Sequence, residues 1–442
     1  MNKIRSQTQA IFHIPLQEWQ KITPDSCPLV AGVFLNRDLT IRQQIASLNK
    51  SSRMEILELV DGLQIRTFQY VGNIRIGPIR IIIKPKIDGV RFLSLLRYAF
   101  GWRKLKLFDP SILNLEENGF QEILFFQLLA EAQTILGRGL YRKYECKEEY
   151  LQSPRGRIDF NQLAYNGGLS DASLFCRHYL RLENNLLNQT LLAGLKLASR
   201  LTSDIVLRAE LRKISQILEQ SVSFVKLTSS LLQNAWINTN RLTAIYRPTL
   251  SIIEILLSSQ GISLDRKETD IKLPGFLFDM NRFYQALLFR FLSENLLGYD
   301  VQGEFRLSGM LAYHPQYNPQ KRRAKTIRPD FAIIKDHQVV ALLDAKYRDL
   351  WEKPLPRDMM YQLAMYAFSQ ERPGTATILY PTTNPKAQEA WINVQHPISN
   401  TRLAKVVLRP VNLLAIEELI NTSNTAYVKR EKKNFAKKMV FG

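Results

Sequence analysis

The pattern of apolar and polar residues divides the chain into regions with different predicted secondary structure. Residues 1–110 contain short runs in which apolar and polar residues alternate, such as 63–67, and this period of two is typical of β-strands. Residues 111–268 show apolar residues mainly at helical spacing. Strand-like and helix-like segments alternate over 269–412, and a helix with a basic tail follows over 413–442. We therefore predict an α+β multidomain protein with an N-terminal β-rich domain, a mainly helical middle region and a C-terminal α/β domain.

Two apolar runs in the C-terminal region, 331–334 and 339–343, are joined by a short polar link and predict two strands with a tight turn. Asp330 precedes the first run, and Asp344 and Lys346 end the second. Residues two apart on a strand point to the same face, so Asp344 and Lys346 share a side. If the strands pair, Asp330 comes close as well, and two carboxylates and an ammonium group converge on one place.

This convergence indicates metal-dependent chemistry. Two adjacent carboxylates are costly unless a cation lies between them, and oxygen ligands of this kind suit Mg²⁺. Asp330, Asp344 and the main-chain carbonyl of Ala345 are the candidate ligands, and Lys346 is the candidate group to orient or activate a water. The alternative is a surface hairpin whose acid and lysine are solvated, because a bare D-x-K is common by chance.

The charge of the chain favours a polyanionic partner. The 442 residues include 60 Lys and Arg against 40 Asp and Glu, which gives a net charge of +20 and an isoelectric point near 9.8. Nucleic acid is the simplest such partner, and an acidic protein is the alternative. A polar link before the hairpin carries a run of cations that could hold a DNA backbone or could remain a solvated loop. These cations are Lys321, Arg322, Arg323, Lys325 and Arg328.

Several classes of protein are disfavoured. The three cysteines, Cys27, Cys146 and Cys176, are far apart and form neither a disulfide framework nor a paired metal-ligand spacing, which fits a reducing compartment. The sequence has no H-E-x-x-H zinc motif and no GxxxxGK[ST] P-loop. No apolar run approaches the ~20 residues of a membrane span, and no apolar segment of a signal peptide follows Met1. We expect a cytoplasmic protein without a membrane anchor.

Residues around the hairpin resemble the PD-(D/E)xK nuclease superfamily. The resemblance lies in Pro-Asp at 329–330 and Asp-Ala-Lys at 344–346, framed by a helix and a strand before them and a helix after them. On the following helix, Gln362 and Tyr366 share a face and resemble the QxxxY element of the RecB-like branch. The resemblance implies that this element positions the catalytic site and contacts nucleic acid.

Further segments resemble the McrC family, the nuclease subunit of McrBC methylcytosine-specific restriction systems, over about residues 60–380. These segments are Tyr70-Val71-Gly72, Ile83-Lys84-Pro85-Lys86-Ile87, Arg155-Gly156-Arg157-Ile158-Asp159, Leu186-Leu187-Asn188, Phe278-Asp279-Met280-Asn281, Arg328-Pro329-Asp330 and Asp344-Ala345-Lys346-Tyr347. The resemblance implies a PD-(D/E)xK restriction-endonuclease-like domain over 269–412. It also implies a Mg²⁺-dependent deoxyribonuclease of the type IV restriction class, which acts in phage defence on DNA that carries 5-methylcytosine.

The same resemblance implies a protein partner. Subunits of this family work with McrB, an AAA+ GTPase hexamer that binds the GTP and reads modified DNA. In the family, the N-terminal region of the nuclease subunit stimulates GTP hydrolysis. We therefore predict that residues 1–110 form the partner-binding domain, and we expect GTP to bind the partner and not this chain.

The chain departs from the family pattern at one position of the candidate site. After Phe-Asp-Met-Asn the family usually has a glutamate that faces the active site, whereas this chain has Gln285. Gln285 stays a candidate site residue because its amide can hydrogen-bond a metal-bound water, but it lacks the charge. This departure gives weight to one alternative, a catalytically degenerate structural subunit. A stand-alone RecB-like repair nuclease that acts without an NTPase is the other alternative.

Overall fold

The computed structural model describes most of the chain and divides it into two compact units. The described residues are 12–35, 38–87, 89–102, 120–165, 173–259, 275–370, 374–423 and 425–442. The first unit combines the described parts of 1–104 and 277–442, and the second lies within 105–276. The protein is therefore multidomain and of mixed α+β structure.

The N-terminal part of the first unit contains two small sheets and two helices. Its elements are β1 (Phe12–Gln17), β2 (Lys21–Ile22), α1 (Leu39–Lys50), β3 (Met54–Leu59), β4 (Gly62–Thr67), β5 (Tyr70–Ile76), β6 (Ile79–Lys84) and α2 (Gly89–Phe100). One sheet has the order β2-β4-β3 and is antiparallel. In the other, β6 pairs in parallel with β1 and antiparallel with β5, and the later strand Gly275–Asp279 forms the far edge.

Alternate apolar residues of these strands form the core of this region. Ile14, Ile74 and Ile81 are all buried, as the period-two pattern of their strands requires. Gly77 makes the turn between β5 and β6 with a φ of 55°, and a Cβ added there would lie 2.8 Å from the side chain of Ile41. The turn therefore favours glycine for its conformation, and any larger residue would also require the end of the Ile41 side chain to shift.

The second unit is a group of packed helices with one small sheet. Its elements are α3 (Phe120–Arg138), β7 (Lys143–Leu151), β8 (Arg157–Ile158), α4 (Phe160–Tyr165), β9 (Leu174–Leu182), α5 (Leu186–Leu201), α6 (Ile205–Glu219), α7 (Ser229–Ile237) and α8 (Arg247–Ser259). The sheet is antiparallel with the order β7-β9-β8. Strand β7 is not predicted from the sequence, because nearly all of its residues are exposed and no apolar face alternates with a polar one.

The C-terminal part of the first unit is built around a six-stranded mixed sheet. Its elements are β10 (Gly275–Asp279), α9 (Met280–Asn295), β11 (Asp300–Gly303), β12 (Phe331–Lys335), β13 (Gln338–Ala345), α10 (Arg357–Phe368), β14 (Gly374–Thr382), β15 (Ala390–Gln395), β16 (Arg402–Asn412), α11 (Leu413–Asn421) and α12 (Ala426–Phe441). The strand order is β11-β12-β13-β14-β16-β15, with β13, β14 and β16 parallel to one another and the outer pairs antiparallel. Helix α10 packs on this sheet through Leu363 and Tyr366, which join a buried cluster with Ala376, Ile378 and Val406.

Several predicted elements are present and some differ from expectation. The apolar pattern also predicts a helix from Phe120 to Ile135 and a buried strand over 375–381, and the structure confirms both of them and the hairpin. The sequence from Val301 to Leu307 also predicts a strand, but the paired strand in the structure is β11, which covers Asp300–Gly303. The residues expected as a basic tail form helix α12, which buries Val428, Ala436 and Met439 and leaves most of its cations exposed. Within the described ranges, no helix combines the length and the apolar character needed to cross a membrane.

Candidate active site

The candidate site lies where the β12–β13 hairpin opens. Phe331 pairs with Leu343, so Asp330 lies beside Asp344 at the same end of the two strands. Strand β13 is interior to the sheet because β14 pairs with it in parallel on its other side. As a result Asp344 is only 1% exposed, whereas Asp330 lies at the rim of the hairpin and is partly exposed.

Lys346 bridges the two carboxylates. Its Nζ lies 3.2 Å from Asp330 Oδ2 and 3.0 Å from Asp344 Oδ2. The main-chain nitrogen of Ala345 donates to the same oxygen of Asp330 at 2.8 Å. The second oxygen of Asp344, Oδ1, is buried and has no hydrogen-bond partner among the described residues. The structure therefore brings Asp330, Asp344, Ala345 and Lys346 together, and it leaves one buried carboxylate oxygen free for a cation.

The burial of this cluster changes its acid–base properties. Burial raises the pKa of Asp344 to about 7, the negative charge of Asp330 adds to the increase, and Lys346 opposes it. Burial alone would lower the pKa of Lys346, but its attraction to Asp344 and Asp330 outweighs burial and raises that pKa above its usual value. At neutral pH Lys346 is therefore charged, whereas burial and the charge of Asp330 favour the neutral form of Asp344.

Helix α9 forms a second wall of the site. It begins at Asp279, whose side chain accepts a hydrogen bond from Asn281 N at 2.9 Å. The side chain of Asn281 in turn accepts from Tyr347 N at 2.7 Å, which fixes the chain directly after Lys346. Gln285 lies one turn later on the same helix face and is half-buried. No group of three or more His, Cys, Asp or Glu side chains suited to a metal occurs in the part of the chain that the structure describes.

Helix α10 fixes the end of the basic link. Gln362 Nε2 donates to the hydroxyl of Tyr366, and that hydroxyl donates to the main-chain oxygen of Arg328 at 2.8 Å. Tyr366 is fully buried. Its burial is the main cause that raises its pKa, and the nearby charge of Asp344 adds to the increase. Its hydroxyl is therefore a fixed donor that positions the backbone two residues before Asp330, while Gln362 is the exposed member of the pair.

The cations of the link differ in position. Lys321, Arg322, Arg323, Lys325 and Arg328 are all exposed. An open groove of about 660 Å³ runs beside the link, and its lining residues are Lys325, Thr326, Ile327, Arg328, Tyr361, Gln362 and Met365. The groove therefore combines two of the predicted cations with the exposed end of the Gln362–Tyr366 pair, whereas Lys321, Arg322 and Arg323 lie outside its lining.

Two residues that support the site were not predicted from the sequence. Asn281 was noted only as part of a motif, and Glu18 was not singled out at all. Glu18 is buried, and its Oε1 accepts from Tyr347 Oη at 2.9 Å and from Lys86 N at 2.8 Å. Burial raises its pKa to about 7, against the effect of these hydrogen bonds. The only signal in the sequence is an acid that directly follows an alternating strand, which is too common a pattern to identify a buried group.

Comparison with known proteins agrees with the resemblance seen in the sequence. The model of the family described as "McrBC 5-methylcytosine restriction system component" matches residues 65–381. No curated protein matches. A chain in the tetradecameric assembly of Thermococcus gammatolerans McrB AAA+ hexamers with bound McrC has a similar fold, with a TM-score of 0.57 and 18% identity over 96% of this chain and 99% of that chain. A chain of the Thermococcus gammatolerans McrBC complex is also similar, with a TM-score of 0.46 and 18% identity over 65% and 89% of the two chains.

Proposed function

The chain belongs to the family of McrBC 5-methylcytosine restriction system components, and we propose that it is the DNA endonuclease subunit of such a system. The observation that supports this proposal is the cluster in which Lys346 bridges Asp330 and the buried Asp344. Charged groups at the end of a buried strand destabilise a fold unless they are well compensated, so their presence favours a functional role. The proposed reaction is hydrolysis of phosphodiester bonds in DNA that carries 5-methylcytosine.

The donor set of the cluster fits Mg²⁺. Asp344, with its free buried oxygen, and Asp330 would hold the ion, and the carbonyl of Ala345 is a third oxygen close by in the chain. Mg²⁺ is commonly held by one or two carboxylates together with substrate phosphates, so a third acid in place of Gln285 is not required. When bound, Mg²⁺ would supply positive charge against the phosphate and favour ionisation of the attacking water.

The side chains of the site would bind and orient the substrate. Lys346 stays protonated at neutral pH, so its ammonium can donate to a phosphate oxygen or to the attacking water. In that orientation Lys346 would no longer bridge Asp330 and Asp344, and both carboxylates would be available to hold a cation. Gln362 and Tyr366 would hold the backbone at Arg328 and so keep the link beside the scissile bond.

The groove beside the link is the proposed DNA-binding surface. It is lined by Lys325 and Arg328 and lies next to the Tyr366–Arg328 contact, two residues from Asp330. Phosphate contacts from exposed Lys and Arg supply most of the sequence-independent affinity for DNA. Lys321, Arg322 and Arg323 would extend this positive surface beyond the groove.

We propose an AAA+ GTPase hexamer like McrB as the protein partner. The similar Thermococcus gammatolerans assembly contains McrB AAA+ hexamers with bound McrC, and the sequence of this chain has no P-loop of its own. GTP would therefore bind the partner, and residues 1–110 are our candidate for the region that contacts it and stimulates GTP hydrolysis. The three free cysteines agree with a reducing, cytoplasmic setting.

An isosteric substitution tests the nuclease assignment. Asp344→Asn, assayed with the partner, GTP and Mg²⁺ on methylated DNA, should lower the cleavage rate by at least about 100-fold, because it removes a charged ligand from the reacting centre. Assembly with the partner should be unchanged. Asp336→Asn is the matched control, since Asp336 lies in the exposed turn of the same hairpin at a φ of 49° that Asn tolerates. Cleavage by Asp344→Asn at the parent rate would rule the assignment out.

A catalytically degenerate subunit is the second candidate. It is favoured by Gln285 and by the lack of a three-acid cluster among the described residues. Full stimulation of the partner's GTP hydrolysis by the parent chain, with no cleavage of any methylated DNA, would support it. Mg²⁺-dependent cleavage by the purified chain alone, unaffected by GTP, would instead support a stand-alone repair nuclease.

A further inference from the structure

Three cations gather over two aromatic rings near the end of β13. The rings of Trp19 and Phe68 are in edge contact, with centroids 6.2 Å apart. The guanidinium of Arg348 lies 5.4 Å and the ammonium of Lys353 5.3 Å from the centroid of Trp19. The guanidinium of Arg66 lies 5.4 Å from the centroid of Phe68. We refer to these five residues as the cation–aromatic cluster.

Acids balance the positive charge of this cluster only in part: Asp358 acts on Arg348 and Glu352 on Lys353, but burial dominates in both groups and lowers their pKa values. Within the described residues, neither Arg348 nor Lys353 forms an ion pair with a carboxylate, and the nearest acid oxygen to Arg66 is 3.9 Å away on Glu55. Lys353 Nζ donates to the main-chain oxygen of Trp19 at 3.1 Å, and Arg348 Nε is buried without a hydrogen-bond partner in the described chain. Burial, and then repulsion from neighbouring cations, lowers the pKa of Lys353. Like charges held this close favour an anionic ligand.

The backbone holds the cluster in place at some conformational cost. Trp19 has a φ of 61°, a left-handed conformation that is unusual for a bulky side chain. Its main-chain nitrogen donates to Phe68 O at 3.2 Å, and its oxygen accepts from Lys353. Such strain persists only where the surroundings fix it, and it is often found at functional positions. Aromatic faces orient cations without neutralising them, which leaves the charge available to a ligand.

We propose that the cation–aromatic cluster holds a backbone phosphate of the DNA strand that occupies the Asp330–Asp344 site. This inference rests on the proposed nuclease function. Arg348 follows Lys346 by two residues, and its main-chain nitrogen donates to Lys346 O at 2.8 Å. Two residues of main chain span at most about 7 Å. Successive nucleotides of one DNA strand rise by about 3.4 Å along the helix axis, so this span corresponds to about two of them. The cluster therefore lies within reach of a phosphate near the one at the cleavage site, and Trp19 and Arg66 bring the N-terminal region into DNA binding.

The test uses the salt dependence of DNA binding by the full-length protein. In Arg348→Gln/Lys353→Gln, binding of a fluorescent duplex without divalent metal should weaken about 10- to 100-fold at low salt. The slope of log K against log salt should become shallower by about 2, because each lost phosphate contact removes about 0.9. Lys405→Gln is the matched control, since Lys405 also lies over a tryptophan, 3.1 Å from the centroid of Trp391, and it should keep the parent slope.

Two further measurements separate the alternatives. The charge-preserving variant Arg348→Lys/Lys353→Arg should keep the parent slope, which shows that charge and not a folding defect sets the result. A parent-like slope in a Gln double variant with unchanged melting overturns the inference. In that case, loss of inorganic phosphate binding would assign the cluster to a free anion, and loss of GTPase stimulation would assign it to the partner protein. Failure of the parent to cut DNA with its partner and GTP would instead remove the nuclease function itself.

Discussion

Two buried carboxylates of the first unit, Glu18 and Asp344, have pKa values raised to about 7, but their surroundings differ. Asp344 is next to a lysine and another acid, as a reacting or metal-binding group would be. Glu18 accepts hydrogen bonds from Tyr347 and from the main chain of Lys86, and it supports the segment after Lys346. A raised pKa alone therefore does not distinguish a catalytic acid from a supporting one, and the neighbouring charges do.

The raised pKa of Glu18 predicts a pH-dependent stability effect. Its pKa is about 7 in the folded state, against 4.5 for a solvated glutamate, so the folded protein binds an extra proton between these values. The contribution of this group to stability therefore falls as pH rises through that window. Glu18→Gln cannot ionise, so its stability relative to the parent should increase from pH 5 to pH 8, by up to about 3 kcal/mol.

Denaturation of both proteins at the two pH values measures this difference. Glu55→Gln is the control, because Glu55 is a partly exposed acid on a strand of the same unit. A Glu18→Gln effect that is equal at pH 5 and pH 8 would contradict the assigned role of burial.

At the scale of single residues, the sequence predicted the acids that end strands and missed the groups that support them. Asp330, Asp344 and Lys346 stand at the ends of apolar runs, so the period of a strand was enough to place them together. Glu18 meets Tyr347 across a separation of 329 residues, and no local pattern encodes that contact. The catalytic roles themselves remain predictions.

At the scale of elements, the hairpin and helix α10 act together through one hydroxyl group. Tyr366 donates to the main-chain oxygen of Arg328 and accepts from Gln362, so helix α10 holds the strand of the link that leads into β12. Because Tyr366 is buried among core residues of the sheet, its ring position is set by packing and its hydroxyl by this contact. The helix therefore contributes to the site by position and not by charge.

Removal of that hydroxyl should affect catalysis more than folding. Tyr366→Phe loses two hydrogen bonds, each worth about 1 kcal/mol of stability, and it frees the backbone just before Asp330. We expect the cleavage rate at saturating DNA to fall about 10- to 100-fold, because small displacements near reacting groups are costly. Tyr427→Phe is the control, since Tyr427 is exposed on α12. A Tyr366→Phe protein with a parent-like rate and a lowered melting point would show a purely structural role.

Elements with a clear apolar period were predicted correctly, and elements without one were not. The β12–β13 hairpin and β14 have buried runs bounded by turns. Strand β7 is exposed along almost its whole length, so the polar sequence at 141–150 has no apolar period that would predict a strand. The α12 segment looked like a tail because its cations dominate, although Val428, Ala436 and Met439 follow a helical spacing on its buried side.

At the scale of the whole molecule, the net charge of +20 predicts strongly salt-dependent DNA binding. Replacement of the five link cations by Gln should make the slope of log K against log salt shallower by up to about 4.5, because each contact contributes about 0.9. These residues are Lys321, Arg322, Arg323, Lys325 and Arg328. The same measurement on five exposed cations of α12 is the control and should leave the slope unchanged. Those control residues are Lys429, Arg430, Lys433, Lys437 and Lys438.

An equal change of slope in both variants would show that overall charge, and not the link, holds the DNA. An unchanged slope in the α12 variant would show that the cations of α12 are only solvated, whereas a changed slope would show that they contact DNA. Composition alone could not separate these cases, because it reports the sum of the charges and not their location.

The discontinuous first unit has a consequence for synthesis of the protein. Its N-terminal sheet needs the strand that ends at Asp279, and Glu18 needs Tyr347, yet residues 105–276 are translated in between. Domains generally fold as units during synthesis, so the first unit can be completed only after both of its segments have left the ribosome. The N-terminal strands must therefore wait for the C-terminal sheet, and a prematurely released nascent chain lacks the supported Asp330–Asp344–Lys346 cluster. Under the proposed nuclease function, a truncated copy would therefore lack a complete site.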